Sequence, residues 1–151
     1  MIVFRLTAER FKDDLTGKGA AIFGGRWNPI GLAVLYTSES RALANLELIV
    51  HTSQGVIPVN YFLLDIVIPD DAPIFCVTEQ NLPKEWRQME HLTQLIGSDL
   101  MKQNEFLALK VPSASVTDEF NFVLNPDHPD FYKIKIVKSE RYMFDERLFR
   151  D

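Results

Sequence analysis

Residues 32–53, LAVLYTSESRALANLELIVHTS, set the frame for reading the rest of the chain. The run Leu32 to Ser38 is short and apolar, as expected of a buried strand. Ser38 or Ser40 then offers a helix N-cap, with Glu39 in the first turn. The helix predicted from this signal covers residues 39–53 and ends before Gly55. Its apolar residues Ala42, Leu43, Leu46, Ile49 and Val50 recur at helical spacing, so one face packs on a core. A buried strand thus passes directly into an amphipathic helix, and the fold class depends on what lies on either side.

Upstream, MIVFRL is β-branched and aromatic and reads as a first strand with Arg5 inside it. Residues 16–25, TGKGAAIFGG, are glycine-rich and predict a loop. Downstream, residues 59–69, VNYFLLDIVIP, predict a long central strand that stops at Pro69. Residues 82–104 predict a helix, with Trp86, Met89, Leu92 and Ile96 spaced three and four apart. FLALKVP (106–112) and FNFVLNP (120–126) predict two further strands. In residues 132–144, Tyr132, Ile134 and Ile136 alternate with Lys133 and Lys135, a period of two that implies one buried face. Strands outnumber helices and no regular βαβ rhythm appears. The expected fold class is therefore α+β, built on a mainly antiparallel sheet.

The chain has 151 residues, 46% of them apolar and 25% charged, within the range of one globular domain spanning residues 1–151. A chain of this length buries roughly 70% of its unfolded surface. The formal net charge of −5 argues against broad electrostatic binding to nucleic acid. It leaves room for a small phosphorylated ligand, because one or two placed arginines suffice for that. No stretch approaches the ~20 apolar residues of a membrane span, and no secretory signal is apparent. The single cysteine, Cys76, fits a reducing cytoplasm. Its setting, APIFCV, predicts a core position.

Four features bear on chemistry. Glu47 lies four residues after Leu43 and three before Val50, so it shares their helix face. That position suits either an acid drawn toward the interior or a rim residue paired with a lysine. Arg5 alternates onto one strand face with Val3. Arg26 follows a glycine pair in FGGRWNPIG (23–31), where backbone can approach a ligand closely. Each arginine reads either as an anion clamp or as part of an internal salt bridge. Tyr36 ends the strand before the Glu47 helix, where its ring can stack or its hydroxyl donate. Ser113 directly follows Pro112 and reads as a ligand contact or a turn cap. His51, His91 and His128 are too far apart in sequence to suggest a metal site. GGRWNP has the spacing of neither a P-loop nor a dinucleotide fingerprint.

Three of these segments, in this order, resemble the RES domain: FGGRWNPIGLAVLYTSESRALANLELIVH, LKVPSASV and NFVLNPDHPDF. RES domains are the toxin halves of RES–Xre toxin–antitoxin pairs, and the resemblance runs over nearly the whole chain. It implies a fold like that of ADP-ribosyltransferase toxins, a split, mainly antiparallel sheet with a cleft. It also implies an enzyme that consumes NAD+ by cleaving the nicotinamide–ribose bond, as a glycohydrolase or phosphorylase. Some members carry out ADP-ribosyl transfer to protein, and a folded non-enzymatic interaction module is a third reading. Carried onto this sequence, the family's arginine is Arg26, its glutamate Glu47 and its serine Ser113, with Arg5 and Tyr36 completing the set. On this reading Glu47, Arg26, Tyr36 and Ser113 are catalytic, and Arg5, Arg26, Tyr36 and Ser113 bind NAD+, with no metal. Ser115 stands where the family commonly has an apolar residue, which leaves open whether Ser113 or Ser115 faces the cleft. The implied partner is an Xre-type helix-turn-helix antitoxin, with no direct nucleic-acid or membrane contact. A homodimer is compatible with this reading.

Overall fold

A computed structural model describes residues 1–150. Seven strands form one sheet: β1 (Ile2–Ala8), β2 (Leu35–Ser38), β3 (Tyr61–Val67), β4 (Ile74–Cys76), β5 (Ala108–Pro112), β6 (Phe120–Leu124) and β7 (Lys135–Tyr142). The strand order is β4-β5-β6-β2-β1-β3-β7. Every pairing is antiparallel except that of β4 with β5. The fold is thus α+β with a mainly antiparallel sheet, as expected. Three α-helices flank the sheet: α1 (Lys18–Phe23), α2 (Arg41–Val50) and α3 (Glu90–Gln103).

The sheet is split near its middle. β1 runs alongside β3 through seven paired positions, and β2 alongside β6 through four. Between β1 and β2 only Phe4 and Ser38 are paired. Two half-sheets therefore meet at one rung. Val3, Leu64, Ile66, Phe122, Leu124 and Leu107 pack together on one face. On the other face Val34, Leu109, Val111 and Val123 pack under Trp27 and Trp86.

Several local expectations change. β3 lies next to the β7 edge, and the central strand is β2. The glycine-rich segment after Thr16 contains α1, whose Gly24 N–H closes on the Ala20 carbonyl at 2.8 Å. The predicted helix over 82–104 is interrupted at Met89, which has a non-helical backbone (φ −108°, ψ 59°). A 3-10 turn, Trp86–Gln88, precedes that break. Trp86 is buried and Ile96 packs against the core as expected, but the helix also buries an adjacent face of small and polar residues. Thr93, Gly97, Ser98 and Met101 are buried, whereas Met89 is 40% exposed. Residues 25–27 are the reason, because their backbone rests on the small-residue face of α3. Tyr132 is 68% exposed in a 3-10 turn ahead of β7, while Ile134 is buried as expected. Cys76 is exposed, not core. It ends a three-residue edge strand whose only neighbour is β5.

Candidate active site

The GGRWN stretch is a rigid loop held from inside. Gly24 adopts φ +69°, a conformation costly for any other residue. A Cβ on Gly25 would lie 2.7 Å from the Tyr36 hydroxyl, so only glycine allows this approach. The Tyr36 hydroxyl donates to Asn28 Oδ1 at 2.7 Å and accepts the Trp27 N–H at 2.9 Å. Burial holds its phenol well above the ordinary tyrosine range, so it stays a neutral donor. Asn28 is fully buried, and its amide nitrogen donates to the Ala20 and Leu32 carbonyls at 2.8 and 2.9 Å. The Gln94 amide and the Thr93 hydroxyl bind the Gly25 and Arg26 carbonyls from α3. Replacing Asn28 with alanine strands the Tyr36 hydroxyl and two carbonyls. We expect a loss of about 2 kcal/mol in urea-melt stability. An unchanged midpoint would show that the loop holds without it.

Between these anchors the Arg26 side chain projects over the Trp86 ring, 5.8 Å from its centroid. One guanidinium nitrogen donates to the Arg87 carbonyl at 3.0 Å. Arg26 is in no ion pair among the described residues, so its remaining N–H groups meet no carboxylate.

Arg5 stands at the split. Its strand partner is Leu64, which places it on the face of Val3 as the alternation predicts. The only hydrogen bond of its side chain among the described residues is a long one, 3.5 Å, from Nη1 to the Tyr36 carbonyl across the gap between β1 and β2. Its Nε is buried without a partner. Burial lowers its pKa, and the charge of Asp14 partly offsets that effect. No carboxylate among the described residues comes within ion-pair distance of it.

Glu47 points inward from α2. Ser40 caps this helix, its hydroxyl accepting the Leu43 N–H at 3.0 Å, which settles the choice between the two serines. The Glu47 carboxylate receives only neutral donors. Ser113 Oγ donates to Oε1 at 2.7 Å, and Asn121 Nδ2 donates to the same oxygen at 2.8 Å. Ser115 Oγ reaches Oε2 at 3.3 Å. No lysine or arginine pairs with Glu47 among the described residues, so the lysine partner of the rim reading is not found. Ser113 is fully buried and fills the turn-cap role. Its oxygen accepts the Ser115 and Val116 N–H groups, both at 3.1 Å, and its proton goes to Glu47. Both serines therefore face the acid, Ser113 as the short contact and Ser115 as the long, exposed one.

Ser113 and Glu47 are thus in direct contact, and Arg5 reaches the backbone of Tyr36. Tyr36 and the GGRWN loop are bound to each other. No hydrogen bond joins Arg5, Arg26 and Glu47 to one another among the described residues. Two shallow surface concavities, of about 240 and 340 Å³, are lined by other residues, in and beyond the α2 C-terminus and around Glu9 and Asn60. Among the described residues, no cluster of three His, Cys, Asp or Glu side chains is arranged to hold a metal ion. Among the same residues, no helix is long and apolar enough to cross a membrane. Sequence reasoning missed Asn121 and Ser38, which face each other across β6 and β2.

Residues 2–145 match the RES domain. The chain belongs to the RES family. The Prs ADP-ribosylating toxin of Sphingobium sp. (strain YBL2) is 40% identical over 142 residues, 91% of this chain and 88% of that protein. Toxin Res of Photorhabdus laumondii subsp. laumondii is 36% identical over 154 residues, covering 99% of this chain and 98% of its own length. Among solved structures, the M. tuberculosis MbcT–MbcA toxin–antitoxin complex contains a chain that superposes with a TM-score of 0.76 at 20% identity. That match covers 93% of this chain and 83% of the other, and it shows a shared fold. Arg26, Glu47 and Ser113, the residues singled out from the sequence resemblance, come from three different places in the fold: the α1–β2 loop, α2 and the turn after β5.

Proposed function

We propose that this RES domain is the toxin of a toxin–antitoxin pair and acts by cleaving the nicotinamide–ribose bond of NAD+. The observation that carries the reading is the Glu47 carboxylate, turned inward and held by Ser113 and Asn121 with no basic counter-ion. Breaking that bond develops positive charge on the ribose, as in glycoside cleavage. A negative group already fixed beside the sugar stabilises the transition state more than the ground state. Nicotinamide leaves as a neutral ring, so the step needs no strong general acid.

In this reading Arg26 and Arg5 bind the pyrophosphate. Both guanidinium groups are free of carboxylate partners, and Arg5 has an unused buried N–H. A phosphate oxygen supplies what they lack. Tyr36 presents its ring to nicotinamide while its hydroxyl fixes the Arg26 loop. Ser113 orients Glu47. The names of the relatives support toxin action and ADP-ribosyl chemistry. The partner would be an antitoxin of the Xre helix-turn-helix type, in keeping with the antitoxin complex of the structural neighbour. The non-enzymatic reading required an ion-pair network among Arg5, Arg26 and Glu47, and no such network exists among the described residues.

The test is nicotinamide release from labelled NAD+ by the purified protein, with and without inorganic phosphate, and again with a cell lysate. Free ADP-ribose marks hydrolysis, its phosphorylated form marks phosphorolysis, and a labelled protein band marks transfer. No release under any condition refutes the reading. Arg26→Lys keeps the charge but loses the planar fork, and NAD+ affinity by calorimetry should weaken about tenfold. Equal affinity would remove Arg26 from the site.

A further inference from the structure

The Glu47 carboxylate is bound unequally. Oε1 receives two short hydrogen bonds, from Ser113 and Asn121, whereas Oε2 receives only the 3.3 Å contact from exposed Ser115. A carboxylate oxygen offers about two lone-pair sites, so Oε1 is saturated and Oε2 is free to meet a substrate.

The two short donors have different supports. Ser113 sits in the turn after β5. Asn121 lies on β6 directly opposite Ser38 of β2, fixed by the ladder of the sheet. The Ser38 hydroxyl, only 4% exposed as a residue, donates to Asn121 Oδ1 at 2.7 Å. A directed chain results: Ser38 O–H to the Asn121 carbonyl, then the Asn121 N–H to Glu47. Successive hydrogen bonds of this kind polarise and reinforce one another. A flipped Asn121 would set its carbonyl against the acceptor-only carboxylate. Nearby charged groups are occupied elsewhere: Glu39 accepts the Phe120 N–H at 2.7 Å, and Lys110 lies over the Phe120 ring at 4.3 Å.

We propose that Asn121, held by Ser38, is a positioning residue that locks Glu47 Oε1 and so aims Oε2 at the ribose. The inference rests on the NAD+-cleaving reading above. It adds that the orientation of the acid is set by the sheet itself, at a rung shared by β2 and β6.

The test measures steady-state nicotinamide release by the wild type, Asn121→Ala, Ser38→Ala and Asn121→Asp. Loss of alignment at a reacting centre costs on the order of 100-fold, so Asn121→Ala should lower kcat by about that factor with KM nearly unchanged. Ser38→Ala should lower kcat by about tenfold, since Asn121 then keeps its contact but loses its brace. In Asn121→Asp two carboxylates face each other and together retain a proton more readily than either alone. Its activity should be as poor as that of Asn121→Ala at about pH 8 and recover toward about pH 5, where the introduced carboxyl, once protonated, donates as the amide did. An Asn121→Asp profile parallel to that of the wild type overturns the proposal, as does wild-type kcat in Asn121→Ala. A wild type that releases no nicotinamide refutes the parent reading instead. The hydrogen-bond chain is then read by NMR, where the Asn121 side-chain amide signals must shift in both Ser38→Ala and Glu47→Gln. Signals unmoved in either variant also overturn the proposal.

Discussion

Glu47→Gln lowers nicotinamide release by about 1,000-fold while leaving the unfolding midpoint within a few degrees of the wild type; this is the largest functional effect we expect. The substitution changes almost no volume. A glutamine oxygen in the place of Oε1 still accepts from Ser113 and Asn121, whose contacts are 2.7 and 2.8 Å in the parent chain. The amide nitrogen takes the place of Oε2, where the hydroxyl of Ser115 can turn to accept. The packing and hydrogen bonds are therefore kept and only the negative charge is lost. A charge fixed beside a developing cation acts mainly in the transition state, so the loss should appear in kcat. Activity and stability falling together would mark Glu47 as a structural strut. Full activity in Glu47→Gln would end the proposed mechanism.

The largest structural effect is expected at Gly97, on a different helix from the acid. Replacing a helical glycine with alanine ordinarily stabilises by up to about 1 kcal/mol. At Gly97 the sign reverses. A Cβ there would overlap the Trp27 carbonyl oxygen and lie 2.9 Å from its carbon. Both are backbone atoms of a loop already tied to α3 through Gln94 and Thr93, so neither can yield cheaply. Gly97→Ala should destabilise by about 3 kcal/mol in urea denaturation, and the displaced loop should weaken NAD+ binding through Arg26. The control is Gly19→Ala in α1, where the added methyl meets nothing within 4 Å and no loss is expected. Equal behaviour of the two variants would show that the close approach of loop and helix is unimportant.

The sequence signals that proved readable were local. β-Branched and aromatic runs marked β1 and β6, the alternation through Ile134 and Ile136 led into β7, and the Ser40 cap marked α2, whose expected apolar face is buried at Leu43 but exposed at Leu46 and Val50. The motif residues Arg26, Glu47 and Ser113 stood out through their segments. What stayed hidden depended on contacts between distant segments. Ser38 and Asn121 are 83 residues apart, and nothing in either neighbourhood announces the other. The buried face of α3 carries threonine, serine and glycine, because it receives backbone where hydrophobic side chains would stand too tall. The apolar stripe therefore marked only part of the buried surface, through Trp86 and Ile96. Cys76 misled for the converse reason. Its neighbours are apolar, yet a three-residue edge strand with one pairing partner has little to cover it.

The arrangement of the two half-sheets has a consequence for biosynthesis. β1 is completed by β3 and β7, while β2 is completed by β6, so each half waits for strands that come much later in the chain. The helix bearing the acid is made early, but the strand that aims it emerges late. On the proposed mechanism, nascent and truncated products contain the acid without the scaffold that orients it and should be inactive.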